Sequence, residues 1–303
     1  MDSEIIAKSR PLDDSQAEAD PRQVMVPPDG YQLLHSAGRG SFSEIWKARD
    51  RSGRLYALKQ LKPVWREDVT ARHLLENEAR IAAATDSKHV VRLDRSVSDA
   101  DRLCLVLEWL DGQTLEARLS GGRPLPLGTA VWIGRQTAQG LNDLATAGFA
   151  HGDVKPANIF VTGGGDAKLI DLGFACPLKG DRIEVDRTVA AGTAEYMAPE
   201  ILAGDRARPI ARDIYSLGIT LFRMISGRLP FQDATTAGVL KLQRQAKPPG
   251  LQSLRPEAPA KLCDLVAAML AKQPVRRPCS YADIVRELIE LELALLPQRV
   301  QAA

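Results

Sequence analysis

Cysteine and histidine are scarce: four of each in 303 residues, and aromatic side chains make up only 5% of the chain. Cys104, Cys176, Cys263 and Cys279 lie far apart and form no CxxC pair. That points to free thiols in a reducing compartment, most simply the cytoplasm. The histidines have no metal-ligand spacing, so a zinc site is not expected. Neither sign of charge prevails, since Lys and Arg exceed Asp and Glu by only +2. No bulk electrostatic case for a nucleic-acid partner follows. No apolar run approaches the ~18 residues of a membrane span. The opening residues, Met1 to Lys8, lack a basic stretch followed by an apolar core, so no secretory signal is expected. What remains is an ordinary soluble composition, 45% hydrophobic and 26% charged, with room for one large domain or two lobes.

Residues 1–29 hold seven Asp/Glu against three Lys/Arg, with Pro11, Pro21, Pro27 and Pro28. They are expected to form a disordered acidic extension. Order is expected from Tyr31. Tyr31–His35 reads as a strand, followed by Gly38-Arg39-Gly40-Ser41-Phe42-Ser43 and a second strand, Ile45–Ala48. Glycines without a Cβ let backbone approach a polyphosphate. A strand follows them here, whereas a Rossmann turn needs a helix. The glycine pair alone is equally compatible with a tight hairpin. Tyr56–Lys59 is a third strand, in which Lys59 faces either solvent or a partner. A helix capped by Asp68 is expected to run to about Ala84. Leu74, Glu78 and Ala82 share its buried stripe with Ala71 and Leu75, while Arg72, Glu76 and Arg80 lie on a solvated face where they can pair. A buried glutamate needs a cation, and Lys59 is the candidate. Val90–Leu93 and Leu103–Leu107 complete five strands. Beyond Gly112 the pattern turns helical, over Leu127–Ala147, Asp213–Ser226, Leu262–Lys272 and Ala282–Leu296. The 213–226 helix is apolar almost all round, so it is expected at the centre of a lobe.

The most informative stretch is 151–173. Ile159–Val161 and Lys168–Ile170 flank the glycine-rich turn Gly163–Asp166 and read as a β-hairpin. Its pairing brings Asp153, Lys155, Asn158 and Asp171 into one neighbourhood. Asp171 and Asn158 are hard oxygen ligands suited to Mg²⁺. Asp153 can take a hydroxyl proton, and Lys155 can sit against a transferring phosphoryl group. Read alone, the stretch is also compatible with a surface hairpin that has charged ends.

Taken together, these motifs resemble the protein kinase superfamily, specifically the bacterial serine/threonine kinases of eukaryotic-like type. The Gly38/Gly40 loop, Tyr56-Ala57-Leu58-Lys59, Glu78, His151-Gly152-Asp153 with Asn158, Asp171-Leu172-Gly173 and Met197-Ala198-Pro199-Glu200 occur in the order that signature requires. Asp213 and Arg277-Pro278 match further family positions. The resemblance covers roughly 30–293. It implies an α+β, bilobal fold: a small five-stranded antiparallel lobe with one helix, 30–109, and a larger helical lobe, 112–296, followed by a short tail, 297–303. It also implies ATP and Mg²⁺, transfer of the γ-phosphate to Ser/Thr of protein substrates, and autophosphorylation. Its partners would be those substrates and a cognate phosphatase, with no nucleic acid and no membrane span. By resemblance the loop 38–43 with Ile45 covers the phosphates, and Lys59 holds the α/β-phosphates and pairs with Glu78. Asp171 and Asn158 hold the metal, and Asp153 orients the acceptor hydroxyl beside Lys155. Ala57 lines the adenine pocket, Leu107 is the gatekeeper, and the Glu108 carbonyl and Leu110 backbone bind adenine. Arg277 pairs with Glu200, and Thr193 bonds Asp153 and Lys155.

Four departures from the family pattern stand out. Ser43 replaces the third glycine, Leu172 the usual phenylalanine, and Ala157 a glutamate found in kinases that select basic residues. Gly152 replaces the arginine before the catalytic aspartate, which makes this the non-RD type. Cys176 and Leu74 likewise stand where basic residues cradle an activation-segment phosphate in other members. A phosphate on Thr188 would therefore find only Arg182 and Arg187 nearby, and the segment is expected to order without one. Two other classes use part of this pattern: a small-molecule phosphotransferase of the aminoglycoside-kinase type, and a pseudokinase acting as a binding module.

Overall fold

The computed structural model describes residues 25–99, 102–179, 194–202, 204 and 208–300. Five strands, β1 (Tyr31–Arg39), β2 (Ser43–Asp50), β3 (Leu55–Leu61), β4 (Leu93–Asp99) and β5 (Arg102–Glu108), form one antiparallel sheet in the order β1-β2-β3-β5-β4. Helix α1 (Val69–Ala84) lies against it. Asp68 caps this helix by accepting from the Ala71 N–H at 2.7 Å. Alternation along β3 divides the sheet's two faces. Tyr56 and Leu58 join Ala48, Cys104 and Val106 in one cluster, whereas Ala57 and Leu61 face α1 with Leu75, Leu105 and Leu107. Lys59 belongs to this second face and is buried. That settles the alternative the sequence left open.

Two differences from expectation concern this lobe. The fourth strand is Leu93–Asp99 and not Val90–Leu93. Val90 and Val91 instead dock on the large lobe, where Val91 N–H donates to Leu169 O at 2.9 Å and Leu169 N–H to His89 O at 2.8 Å. The true strand is polar because it lies at the sheet edge, so the apolar run drew the assignment to the wrong segment. The lobe also begins before Tyr31. Met25 is 2% exposed and packs on Tyr56, Leu58 and Val106, so residues 25–29 lie along the sheet. The rest of the expected extension, 1–24, lies outside the described residues.

The large lobe opens with β6 (Gly112–Thr114), α2 (Leu115–Leu119) and α3 (Leu127–Thr146). Short strands β7 (Phe149–Ala150), β8 (Ile159–Thr162), β9 (Ala167–Leu169) and β10 (Cys176–Pro177) follow. Then come helices α4 (Pro199–Leu202), α5 (Pro209–Ser226), α6 (Thr236–Gln245), α7 (Leu251–Leu254), α8 (Ala260–Met269) and α9 (Tyr281–Val300). The 159–169 hairpin forms as expected and adds β6 to make a three-stranded sheet. Helix α5 is the centre of this lobe: Ile214, Tyr215, Leu217, Ile219, Leu221 and Met224 are all fully buried. Helix α9 continues to Val300, beyond the expected start of the tail at 297.

Candidate active site

The hinge between lobes follows β5, and the site lies where β3, α1 and the 151–173 stretch meet. Lys59 Nζ is 2.6 Å from Glu78 Oε2 and 3.0 Å from Asp171 Oδ1. Lys59 and Glu78 are both nearly inaccessible, while the Asp171 side chain is 44% exposed. Burial alone would push Lys59 down, but the Asp171 and Glu78 carboxylates outweigh it and hold Lys59 above its ordinary range. Burial pushes Glu78 up to about 7 against the pull of Lys59. Asp171 is also desolvated, yet Lys59 keeps its carboxyl below the usual value. An ionised, accessible carboxylate therefore sits beside a buried cation. Asp171 is also the one non-glycine residue among the described ones with a positive φ, 62°. Such backbone persists where the surroundings over-determine it.

Those surroundings come from both lobes. A Cβ on Gly173 would lie 3.2 Å from Leu74 O, so α1 rests on the residues just after Asp171. Asn77 Nδ2 donates to Gly173 O and Ala175 O, each at 2.8 Å. Leu172 is fully buried in the large-lobe core. It fills apolar space where other family members place phenylalanine.

On the opposite wall, Asp153 is gripped through one oxygen. Lys155 Nζ lies 2.8 Å from Oδ2, and Asn158 Nδ2 donates to Oδ2 at 2.9 Å and to the Asp153 carbonyl at 2.8 Å. Asp153 Oδ1 and the side-chain oxygen Oδ1 of Asn158 have no donor among the described residues. The loop is anchored from beneath by Asp213 of α5, 1% exposed. Its Oδ2 accepts from His151 N–H at 2.7 Å and from the Tyr281 hydroxyl at 3.0 Å, and its Oδ1 accepts from Gly152 N–H at 2.9 Å. Gly152 has φ 79°, the left-handed conformation that suits glycine and aims both amides at one carboxylate.

The glycine loop closes the β1–β2 turn, with Gly40 N–H donating to Ser43 O at 2.9 Å. Gly38 and Gly40 lack a positive φ, and a Cβ at either would meet nothing nearer than 3.5 Å. The fold itself therefore leaves room for a side chain at both positions. Glycine there suits something passing close beneath, as a polyphosphate would. Arg39 and Ile45 sit on the same hairpin, paired in register with Glu44 and Gly38. Phe42 stacks edge-on with Trp65 at 5.0 Å, and Ser41 lies in the turn between the strands. Ala57 pairs with Leu107 across β3 and β5. Beyond Leu107, Glu108 accepts from Lys168 Nζ at 2.6 Å and from Arg92 N–H at 2.9 Å, which ties the hinge to the hairpin next to Leu110.

An oxygen-only pair, Asp171 and Asn158, fits a small hard cation that keeps phosphate and water as its other ligands. Among the described residues no group of three or more His, Cys, Asp or Glu forms a closed metal cage.

A family model described as "Protein kinase domain" matches residues 31–289. The chain belongs to the protein kinase family. Its curated relatives include the serine/threonine-protein kinase drp72 of Corynebacterium efficiens, 32% identical over 91% of this chain and 53% of the relative. Serine/threonine-protein kinase PknD of Mycobacterium tuberculosis is 32% identical over 84% of this chain and 38% of its own length. PknA of the same species is 32% identical over 84% of this chain and 60% of its own. The chain thus spans about half the length of such relatives. The family works with ATP, a divalent metal and protein substrates. No helix among the described residues is long and apolar enough to cross a membrane.

Within this kinase domain, Arg277 donates bidentately to Glu200 at 2.6 and 2.7 Å, with both side chains buried, as the resemblance implied. The anchors contributed by Asn77, Lys168 and Tyr281 were not read from the sequence, because each is polar and separated in sequence from what it holds. The expected pairing of Arg72, Glu76 and Arg80 does not form. Glu76 lies 3.7 Å from His73 Nδ1, and Arg80 donates to Asn77 Oδ1 at 2.7 Å. Cys176 and Leu74 are buried, and Arg212 Nη2 comes within 3.7 Å of the Cys176 sulfur. A cation from α5 therefore stands near a position where the sequence reading found none. Arg182, Arg187, Thr188 and Thr193 lie outside the described residues.

Proposed function

We propose that this chain is a serine/threonine protein kinase that transfers the γ-phosphate of ATP to protein hydroxyls, its own included. The observation that carries this reading is the double engagement of Lys59. One ammonium bridges Glu78 of the small lobe and Asp171 of the large lobe, opposite an Asp153 whose Oδ1 is left open. That geometry supports a role for Lys59 on the α/β-phosphates beneath the 38–43 loop, with adenine against Ala57, Glu108 and Leu110. Asp153 orients the acceptor through Oδ1. The acceptor oxygen bonds to the γ-phosphorus as the bond to the β-bridging oxygen breaks; ADP leaves with that electron pair, and the hydroxyl proton passes to Asp153. Lys155, already beside Asp153, faces the charge that spreads over the transferring group. Asp171 and Asn158 would hold a Mg²⁺ ion, which would neutralise phosphate charge when bound.

Lys155 two residues after Asp153 supports Ser/Thr over Tyr as acceptor, as do the names of the relatives. Ala157 brings no carboxylate, so only a weak preference for a basic residue before the acceptor is expected. Four free thiols support a reducing, cytoplasmic setting. A cognate phosphatase would hydrolyse the phosphoester, releasing inorganic phosphate and restoring the hydroxyl. We assign 30–296 to the kinase domain, with 1–29 as an extension and 297–303 as a tail.

The test is incubation with Mg-ATP and a generic protein substrate, followed by phosphoamino-acid analysis. Phosphoserine and phosphothreonine are expected. A product dominated by phosphotyrosine would overturn the acceptor class. Phosphate on an aminoglycoside and on no protein would overturn the protein substrate, and no transfer at all would leave a binding module.

A further inference from the structure

Arg212, near the start of α5, is a buried guanidinium, only 6% exposed. It makes no ion pair among the described residues, and its Nε has no hydrogen-bond partner. A buried charge without a counter-ion is strongly destabilising, so the site calls for an anion. The side-chain atom that Arg212 reaches is the Cys176 sulfur, 3.7 Å from Nη2. Asp213, next along the helix, is already committed to the His151 and Gly152 amides and the Tyr281 hydroxyl. Tyr281 faces the same cluster, where burial and the Asp213 carboxylate keep its hydroxyl protonated. The group left to answer the guanidinium is the thiolate of Cys176, which is also the nucleophilic form of a cysteine.

The other thiols have no such neighbour drawing out the anion. Burial pushes Cys104 up to about 11, burial together with the Asp264 carboxylate raises Cys263, and Cys279 lies exposed. Cys176 keeps 8% of its surface open, room for an oxidant of two heavy atoms.

We propose that Cys176 is a peroxide-reactive cysteine whose oxidised sulfur is held by Arg212. Its thiolate attacks one oxygen of hydrogen peroxide. An S–O bond forms as the O–O bond breaks, the sulfur is oxidised to the sulfenic acid, and the departing hydroxide takes up a proton to become water. Nε and Nη2 of Arg212 then donate to the new oxygen. A small thiol reverses the change, displacing water from the sulfenic acid to give a mixed disulfide, from which a second thiol releases Cys176. Cys176 pairs with Ala150 across β10 and β7, one residue before His151, so an added oxygen disturbs the strand that leads into the Asp153 loop. The resulting loss of activity rests on the kinase reading of the cleft; the oxidation does not.

The test exposes the reduced full-length chain to hydrogen peroxide with dimedone, which captures sulfenic acids, and follows each cysteine peptide by mass spectrometry. Cys176 should be labelled at least about tenfold faster than Cys279. Accessibility alone gives the reverse order, so Cys279 labelled as fast or faster would overturn the proposal. In Arg212→Met, labelling of Cys176 should fall at least about tenfold while that of Cys279 is unchanged; undiminished Cys176 labelling would overturn the role of Arg212. The wild-type order needs no variant, so it decides the matter even where Arg212→Met unfolds. Peroxide should also lower turnover severalfold in the wild type but not in Cys176→Ser, with recovery on adding dithiothreitol. An equal loss in both would overturn the link to the Asp153 loop. Labelling does not depend on catalysis, so an inactive wild type would overturn the cleft reading and not this one.

Discussion

Glu78 is the residue on which pH should act first. Its carboxyl rises to about 7 on burial, from an ordinary value of 4.5. A raised acid contributes stability in its protonated form, fully present below about 4.5 and lost as pH rises through about 7. Function needs the opposite form, since only the ionised carboxylate holds Lys59. We therefore expect kcat/KM to drop as pH falls through about 7, with an acid limb that is missing in Glu78→Gln. A wild-type profile flat from pH 6 to pH 8 would contradict this. Sequence spacing placed Glu78 on the buried stripe of α1 and named Lys59 as its partner, because helix period and the need of a buried charge for a counter-ion are both local rules. It did not show that Lys59 also reaches Asp171, since that contact crosses 112 residues.

At the scale of elements, the 151–158 loop is held by α5. Removing the Asp213 carboxylate would take the acceptor from two buried donors, the His151 N–H and the Tyr281 hydroxyl. Asp213→Ala should cost roughly 2 kcal/mol or more in urea unfolding, at about 1–3 kcal/mol per orphaned group. It should also lower kcat in whatever remains folded. The family resemblance marked Asp213, but its three donors were not legible. Two are backbone amides, and the third, Tyr281, is 68 residues away. Helices and the central hairpin were readable because periodicity and turn chemistry are written locally. The edge strand β4 was not, because solvent on one side removes its apolar signature. The activation segment supplies the second prediction at this scale. Gly152, Cys176 and Leu74 offer no charge to a phosphate, although Arg212 lies near Cys176. Thr188→Ala and phosphatase-treated wild type should both keep most activity on an exogenous protein. A loss of roughly tenfold or more in both would mean that basic groups such as Arg212 form a phosphate pocket after all.

Across the whole molecule, the Arg277–Glu200 pair ties α4 to the loop before α9. It is buried on both sides. Arg277→Met would leave Glu200 an uncompensated buried charge and should cost roughly 3–5 kcal/mol, read by chemical unfolding. On the proposed reading, the reaction depends on both lobes meeting at one cluster, in which Lys59 comes from the sheet, Glu78 from α1 and Asp153 and Asp171 from the large lobe. The most direct test is the turnover of Lys59→Met, Asp153→Asn and Asp171→Asn beside wild type, with the thermal midpoint of each measured to confirm folding. Each should lose roughly a hundredfold or more in kcat at an unchanged fold, as expected when charge stabilisation of the transition state is removed. Near-wild-type turnover in any one of the three would contradict the assignment of this cluster as the phosphoryl-transfer site.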